Sequence, residues 1–339
     1  MALITKKKLL YPINNQLRAY LADHERNAEA IDYEELTRYS NSIALYDSQG
    51  TDTLWETVLF APSDMEHVHR ELKMVYSNLK SSGRVEVIEH LFIDRIDICP
   101  FGNTKPFRVR IVNRINDNFD YFYIKRADAS RIYGLELEHL LSPNAINYIV
   151  HKNTLVEEHI AGVPGDQFMK RHIEDEFLNK VRLSKEFVKF NERCFVRLLG
   201  DMHSSNFVVD VTPDFEDTHY RIRAIDFDQQ SYEARKAVYF PQFFKQNYPF
   251  VEMGMEIMTP ESMIQYQLEE RSLILNRSIS AKHVLKDLFN AMCSQPLSLE
   301  KNIIQLGKEL AEHHNNPAFT HCTSMGALVQ LNLATLLTN

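Results

Sequence analysis

Cysteine is scarce in this 339-residue chain: Cys99, Cys194, Cys293 and Cys322 stand far apart and form no C-x-x-C pair. That excludes a disulfide framework or a thiolate zinc site as the organising element and predicts reduced, partly buried thiols. Basic charge is also short, with 38 Lys and Arg against 46 Asp and Glu and a formal net charge of −8. Phosphate-backbone binding concentrates cations, so nucleic acid is not expected as a partner. The balance suits a cationic ligand, or simply a soluble surface. No stretch approaches the ~20 apolar residues of a membrane span. The opening MALITKKKLLYPINNQ places only two apolar residues after its basic cluster, too few for a signal-peptide core. Internal repeats, low-complexity tracts and long linkers are missing as well. These absences predict a cytoplasmic globular chain of two compact units or one two-lobed domain, with no membrane partner.

Periodicity divides the chain in three. Residues 1–84 are rich in helix formers and read as an N-terminal helical extension. Within it Met65, Val68, Leu72, Val75 and Leu79 recur at three- and four-residue steps, with Ser63 as a cap and Gly83 as a stop. Core packing is the main reading of that stripe, and a protein partner docking through residues 1–84 is a second. From Val85 three strands follow in VEVIEHLFIDRIDI, FRVRIVNR and FDYFYIKRA, with INDN as a hairpin turn. A helix fits DASRIYGLELEHLLS, ending before Pro143, and two short strands come next in NYIVHK and TLVEEHIA. The order β-β-β-α-β-β covers residues 85–160. Residues 161–339 read as mainly helical, and the class is α+β.

Two polar loops interrupt that helical part. VRLLGDMHSSNFVVD sets Asp201 and Asn206 between apolar runs, and YRIRAIDFDQQ runs an apolar strand into Asp226 and Asp228. Asp and Asn offer oxygens to hard cations, and Mg²⁺ is held by one or two carboxylates together with phosphate oxygens and water. Asn206 and Asp226 from neighbouring loops suit such an ion. Asp201 is then free to accept a proton or orient a hydroxyl.

GDMHSSNF resembles the G-D-L-H-x-x-N catalytic loop of the aminoglycoside phosphotransferase and choline kinase branch of the protein-kinase-like fold, and AIDFD resembles that branch's metal-binding Asp-Phe motif. The resemblance covers roughly residues 85–235. It implies a two-lobed fold with a β-rich small lobe, a mainly helical large lobe, and ATP and Mg²⁺ as cofactors. It implies Asp201 as the catalytic carboxylate and Asn206, Asp226 and Asp228 as metal or phosphate contacts. Lys125, ending YFYIK, takes the place of the lysine that holds the α- and β-phosphates, with Glu136 or Glu138 of the next helix as its ion-pair partner. Glu158 to Ile160 take the place of the hinge that meets adenine. Gly102, Asn103 and Thr104 of CPFGNTKPF take the place of the loop over the phosphates.

The chain departs from the pattern at Leu199, where the family carries a scaffold His, and in a phosphate loop with a single glycine. Ala-Pro-Glu is missing after Asp228, as is a long activation segment, which tilts the expectation from a protein kinase toward a small-molecule phosphotransferase with a hydroxyl acceptor. An atypical or effector protein kinase and a catalytically silent pseudokinase remain as alternatives. His203 reads as a loop-orienting residue. His67, His69, His313 and His314 lack the further ligands of a zinc site and read as surface residues. The aromatic run from Tyr239 to Phe250 reads as packing in the helical part or as a pocket wall.

Overall fold

The computed structural model describes residues 8–81, 85–213 and 218–337, so the stop expected at Gly83 lies outside the described residues. The chain is α+β, with a sheet-rich N-terminal part and a helical C-terminal part, and its contacts divide into two compact units. Among the described residues no helix is long and apolar enough to cross a membrane. All four cysteines are unpaired.

The sheet unit comprises residues 18–128 and 146–159. Its seven strands are β1 (Asn41–Tyr46), β2 (Asp52–Leu59), β3 (Leu91–Ile98), β4 (Phe107–Asn113), β5 (Phe119–Arg126), β6 (Tyr148–His151) and β7 (Thr154–Glu158). They form one antiparallel sheet in the order β1-β2-β3-β4-β5-β7-β6. The short helices α1 (Asn15–Asp23) and α2 (Tyr33–Leu36) precede β1, and α3 (Pro62–Ser81) lies between β2 and β3.

Alternation assigns the two faces. Phe107, Val109 and Ile111 of β4, with Phe122 and Ile124 of β5, point into a core shared with Val68, Leu72, Val75 and Leu79 of α3. Four such side chains removed from water favour this packing by about 1.5–3 kcal/mol each. Met65, expected on the same stripe, is exposed. The helix starts at Pro62, whose fixed φ suits a first helical position, and the Ala61 carbonyl accepts the first amide bonds, so Ser63 is not the cap. The turn expected at INDN is present: Asn113 and Asn116 accept from amides two residues on, and Asp117 takes the left-handed conformation.

Two readings of the sequence are corrected. Residues 41–59 are a β-hairpin, not helix, and β2 pairs with β3, so this segment extends the sheet. The alternation in SIALY and DTLWETVL outweighs the helix formers around it. The helix over DASRIYGLELEHLLS, placed by the sequence reading with the small lobe, groups instead with the helical unit as α4 (Ala129–Leu141). Ala129 through Glu138 and Leu141 are all buried, the charged Arg131, Glu136 and Glu138 among them, so the helix is enclosed rather than laid on a surface.

The helical unit comprises residues 1–17, 129–145 and 160–339. It contains α4, the short strand β8 (Val163–Pro164), α5 (Gly165–His172), α6 (Lys180–Arg197) and the hairpin of β9 (Phe207–Pro213) and β10 (Thr218–Ala224). Beyond these come α7 (Tyr248–Ile257), α8 (Pro260–Ser280), α9 (Lys282–Cys293), α10 (Glu300–His314) and α11 (Met325–Leu337). The three short strands pair in the order β10-β9-β8.

The C-terminus of α6 is buried, so its last carbonyls need partners. The Leu199 amide donates to Cys194 O at 2.9 Å, and the Leu198 amide reaches Phe195 O at 3.1 Å with Leu198 itself in the left-handed conformation. Asn332 of α11 donates through Nδ2 to Phe195 O at 2.9 Å and Val196 O at 3.2 Å. Gln230 Nε2 closes the set on Arg197 O at 2.6 Å. With its amide so committed, Asn332 offers Oδ1 to His314 Nε2 at 2.7 Å, and the imidazole stacks against Phe195 and Phe319. His314 is thus a half-buried packing residue rather than a surface one, and burial lowers its pKa, favouring the neutral ring that this bond requires.

Replacing Asn332 by Leu strands the Val196 carbonyl and an imidazole N–H, and leaves Phe195 O with the Leu198 amide alone. The expected cost is about 2–4 kcal/mol, read as a lower urea midpoint with an unchanged m-value.

Candidate active site

Four residues singled out from the sequence come together in the helical unit. The chain leaves α6 through Leu198 and Leu199, and Gly200 N and Ser231 N bond to Gln229 O and Leu198 O, so the two polar loops run side by side. Asp201 sits at φ 60°, a left-handed conformation that Asp tolerates better than most residues. Its carbonyl accepts from the His203 amide at 2.9 Å and from Asn206 Nδ2 at 2.8 Å. The Asn206 carbonyl in turn accepts from Ile225 N at 3.0 Å, which brings Asn206 beside the strand end that carries Asp226. Asn247 Nδ2 donates to Met202 O, and Asp166 N to Ser204 O. The loop is pinned on every side. Gly165 makes the last of these contacts possible, because a Cβ there would lie 2.7 Å from Ser204 O.

Asp226 and Asp228 converge on a residue the sequence reading did not select. Arg131 of α4 is 2% exposed, and its Nη1 donates to Asp226 Oδ1 at 2.7 Å and to Asp228 Oδ1 at 2.8 Å. The Asp228 amide also donates to Asp226 Oδ1, at 3.0 Å. The neighbouring Ser130 hydroxyl reaches Gln230 O at 2.6 Å, so α4 grips the D-F-D segment and the chain just beyond it. One signal for Arg131 was present: it is a charge set directly before the apolar Ile132 and Tyr133 in a segment that reads as helix.

The field here is negative. Burial, then the carboxylates of Asp226, Glu233 and Asp228, push the Asp201 carboxyl up to about 7. Burial lowers the His203 pKa against the pull of Asp226 and Asp166, which keeps the ring a neutral neighbour of Asp201 at 3.9 Å. Among the described residues no group of three or more His, Cys, Asp or Glu side chains is arranged to hold a metal. A cation held here would draw on oxygens of two carboxylates and the Asn206 amide, with Asp226 the more open at 36% side-chain exposure against 15% for Asp228. That set suits a Mg²⁺ ion completed by phosphate and water, and does not suit zinc.

Glu138 does not take the role expected of it. Its Oε1 accepts from Ser142 and Asn144, and its Oε2 is bonded by Arg197 at the end of α6. Burial alone would raise this carboxyl, but Arg197 and the two donors outweigh it and hold the pKa below the ordinary value. Glu136 is likewise buried in α4.

In the sheet unit Lys125 lies on β5, on the face opposite the core. Its Nζ meets Glu157 Oε2 of β7 at 2.8 Å, and both side chains are buried. The register pairs Lys125 with Leu155, so Glu157 is the diagonal neighbour on the same face. The sequence reading missed Glu157, whose only signal was that it alternates with Leu155 on a strand expected beside that of Lys125.

The loop of Gly102, Asn103 and Thr104 is a compact turn. Gly102 accepts from Lys105 N, and a Cβ on Gly102 would come within 2.7 Å of the Pro106 ring. Thr104 is buried, and the Tyr33 hydroxyl bonds the Lys105 carbonyl beside it. Glu158 ends β7 with its carboxylate on Asn147 N and Lys80 Nζ. The chain passes from one unit to the other between His159 and Ile160, within the expected hinge.

No protein-family model matches the chain, and no curated protein does. The chain is similar to the solved structure of the autoinhibited serine kinase domain of the giant muscle protein titin, at 11% identity and a TM-score of 0.29, covering 73% of this chain and 93% of that one. It is also similar to titin kinase with its flanking domains, at 11% identity and a TM-score of 0.28, covering 81% of this chain and 61% of that one. Likenesses this loose do not establish a common fold.

The Lys125–Glu157 pair has a direct test. Replacing Glu157 by Leu strands a buried ammonium and should cost about 3–5 kcal/mol, whereas Lys125→Met combined with Glu157→Leu should recover most of that loss. Denaturant titration of the two variants separates these outcomes.

Proposed function

We propose that the protein is an ATP- and Mg²⁺-dependent phosphotransferase acting on a hydroxyl group of a small molecule. The observation that carries this reading is the stitching of the Asp201–Asn206 loop to the Asp226–Asp228 loop, through Ile225 N to Asn206 O and Gly200 N to Gln229 O. Asp201 would be the carboxylate that accepts the hydroxyl proton as the acceptor oxygen bonds the γ-phosphorus and ADP leaves. A carboxyl raised to about 7 is matched to that task near neutral pH. Asn206, Asp226 and Asp228 would hold Mg²⁺, which when bound neutralises phosphate charge. Lys125 would bind the α- and β-phosphates, exchanging its bond to Glu157 for them. The order β3-β4-β5-β7-β6, with α4 between β5 and β6 in the chain, supports the reading, because a kinase small lobe places its lysine strand and hinge strand side by side in that order.

A small acceptor is favoured by the conformation of the segment after Asp228. Three short 3₁₀ turns span Lys236–Asn247, with Tyr239 and Phe244 buried. Val238 O accepts from the Asp201 amide, and Asn247 braces Met202. This segment is folded back onto the catalytic loop rather than laid out as a platform for a peptide. The carboxylates around Asp201 favour an acceptor that carries positive charge, such as an amino sugar or amino alcohol. One observation favours a second reading, a silent nucleotide-free binding module: Arg131 already gives the Asp226–Asp228 pair a positive partner.

Saturating ATP with Mg²⁺ should raise the melting temperature. Asp201→Asn should retain that shift while ADP release, measured across a panel of hydroxyl compounds, falls by about 10²-fold or more. Asp226→Asn should lose the Mg²⁺-dependent part of the shift. No shift with the wild type would overturn the assignment, and wild-type ADP release by both variants would overturn the roles.

A further inference from the structure

The Asp226–Asp228 pair differs from a bare acidic site in having a built-in counter-ion. A single nitrogen of Arg131 bonds both carboxylates, at 2.7 and 2.8 Å, and the guanidinium is 2% exposed. Its other terminal nitrogen points to the Ile225 carbonyl, at 3.4 Å, and the group lies 6.0 Å from the centre of the Phe227 ring. The helix that carries it is buried along almost its whole length and is bonded to the same segment through Ser130 and Gln230. Arg131 therefore has no route to solvent that leaves the loop intact. It accompanies the two carboxylates whether or not a cation is near.

We infer that Arg131 is a fixed counter-ion that weakens the affinity of the Asp226–Asp228 pair for a free divalent cation, so that the cation is held well only together with nucleotide phosphates. This rests on the reading of Asp226 and Asp228 as cation ligands. The guanidinium halves the charge of the pair, from two negative charges to one, and occupies the Oδ1 atom of each. A cation arriving alone meets a pair that carries one net charge rather than two, and its remaining oxygens. A cation arriving with a polyphosphate brings its own anionic ligands and needs only a carboxylate or two from the protein. Repulsion between a fixed guanidinium and a divalent ion is strongest where solvent is excluded, as it is around Arg131.

The inference is tested by Mn²⁺ binding to the full chain, read by electron paramagnetic resonance with no nucleotide or acceptor present. Arg131→Met, with its folding checked by circular dichroism, should bind Mn²⁺ at least tenfold more tightly than the wild type. Adding ATP should narrow that gap. Arg131→Lys retains the charge on a shorter side chain that holds it farther from the two carboxylates, and should fall between the two. It serves as the measurement if the Met variant does not fold. Unchanged or weaker Mn²⁺ binding in a folded Arg131 variant overturns the inference. If wild type and variants all bind Mn²⁺ with ATP but the variants bind it no more tightly than the wild type without ATP, only the counter-ion role fails. If neither wild type nor variants bind Mn²⁺ even with ATP, the cation-ligand reading fails and this inference falls with it.

Discussion

Helix α6 ends in the dry interior of the helical unit, and its terminal carbonyls have to find donors there. Water cannot serve them, so the chain does: the amides of Leu198 and Leu199 turn back on the helix, Asn332 reaches in from α11, and Gln230 reaches in from the segment after Asp228. Leaving a buried carbonyl unbonded costs about 1–3 kcal/mol, so these bonds are a condition of burying the helix at all. They also direct the next stretch of chain. The left-handed turn at Leu198 aims it at Gly200, and the Gln230 bond brings the second polar loop alongside the first.

The site inherits its geometry from that cap. Asp201, Asn206 and the Asp226–Asp228 pair are held by backbone and amide bonds rather than by bonds between the acidic side chains themselves. The carboxylates are therefore brought close against their own repulsion, and the raised pKa of Asp201 is the electrostatic trace of that placement. Arg131 offsets part of the repulsion from below, on a helix too enclosed to move away. The same enclosed helix commits its other buried charge to the scaffold, where Glu138 locks to Arg197. One helix thus serves α6 and the D-F-D segment together, which explains why it groups with the helical unit although the chain enters it directly from β5.

Several features were legible in the chain because they depend on local pattern. Three central strands, the INDN turn, the buried stripe of α3 and the two polar loops arise from alternation, helical spacing and turn chemistry among residues close in sequence. Asp201, Asn206, Asp226 and Asp228 could be nominated together because each sits where an apolar run stops at a polar oxygen. The β1–β2 hairpin was hidden because its neighbours are strong helix formers and its pairing partner, β3, begins more than thirty residues after β2 ends.

Tertiary structure alone decided the choice of partner. Lys125 meets Glu157 on the adjacent strand, Glu138 meets Arg197, and Arg131 meets the Asp226–Asp228 pair. Each pair joins charges 32 to 97 residues apart. A sequence reveals that a buried charge needs a counter-charge, since desolvation penalises it otherwise. Which counter-charge it meets depends on strand register and on which helix face is enclosed, and those are settled only when distant segments pack. The sequence by itself determined most of the elements, the β1–β2 hairpin excepted, and the chemistry on offer. The packed chain determined which charges neutralise one another and which remain open to a ligand.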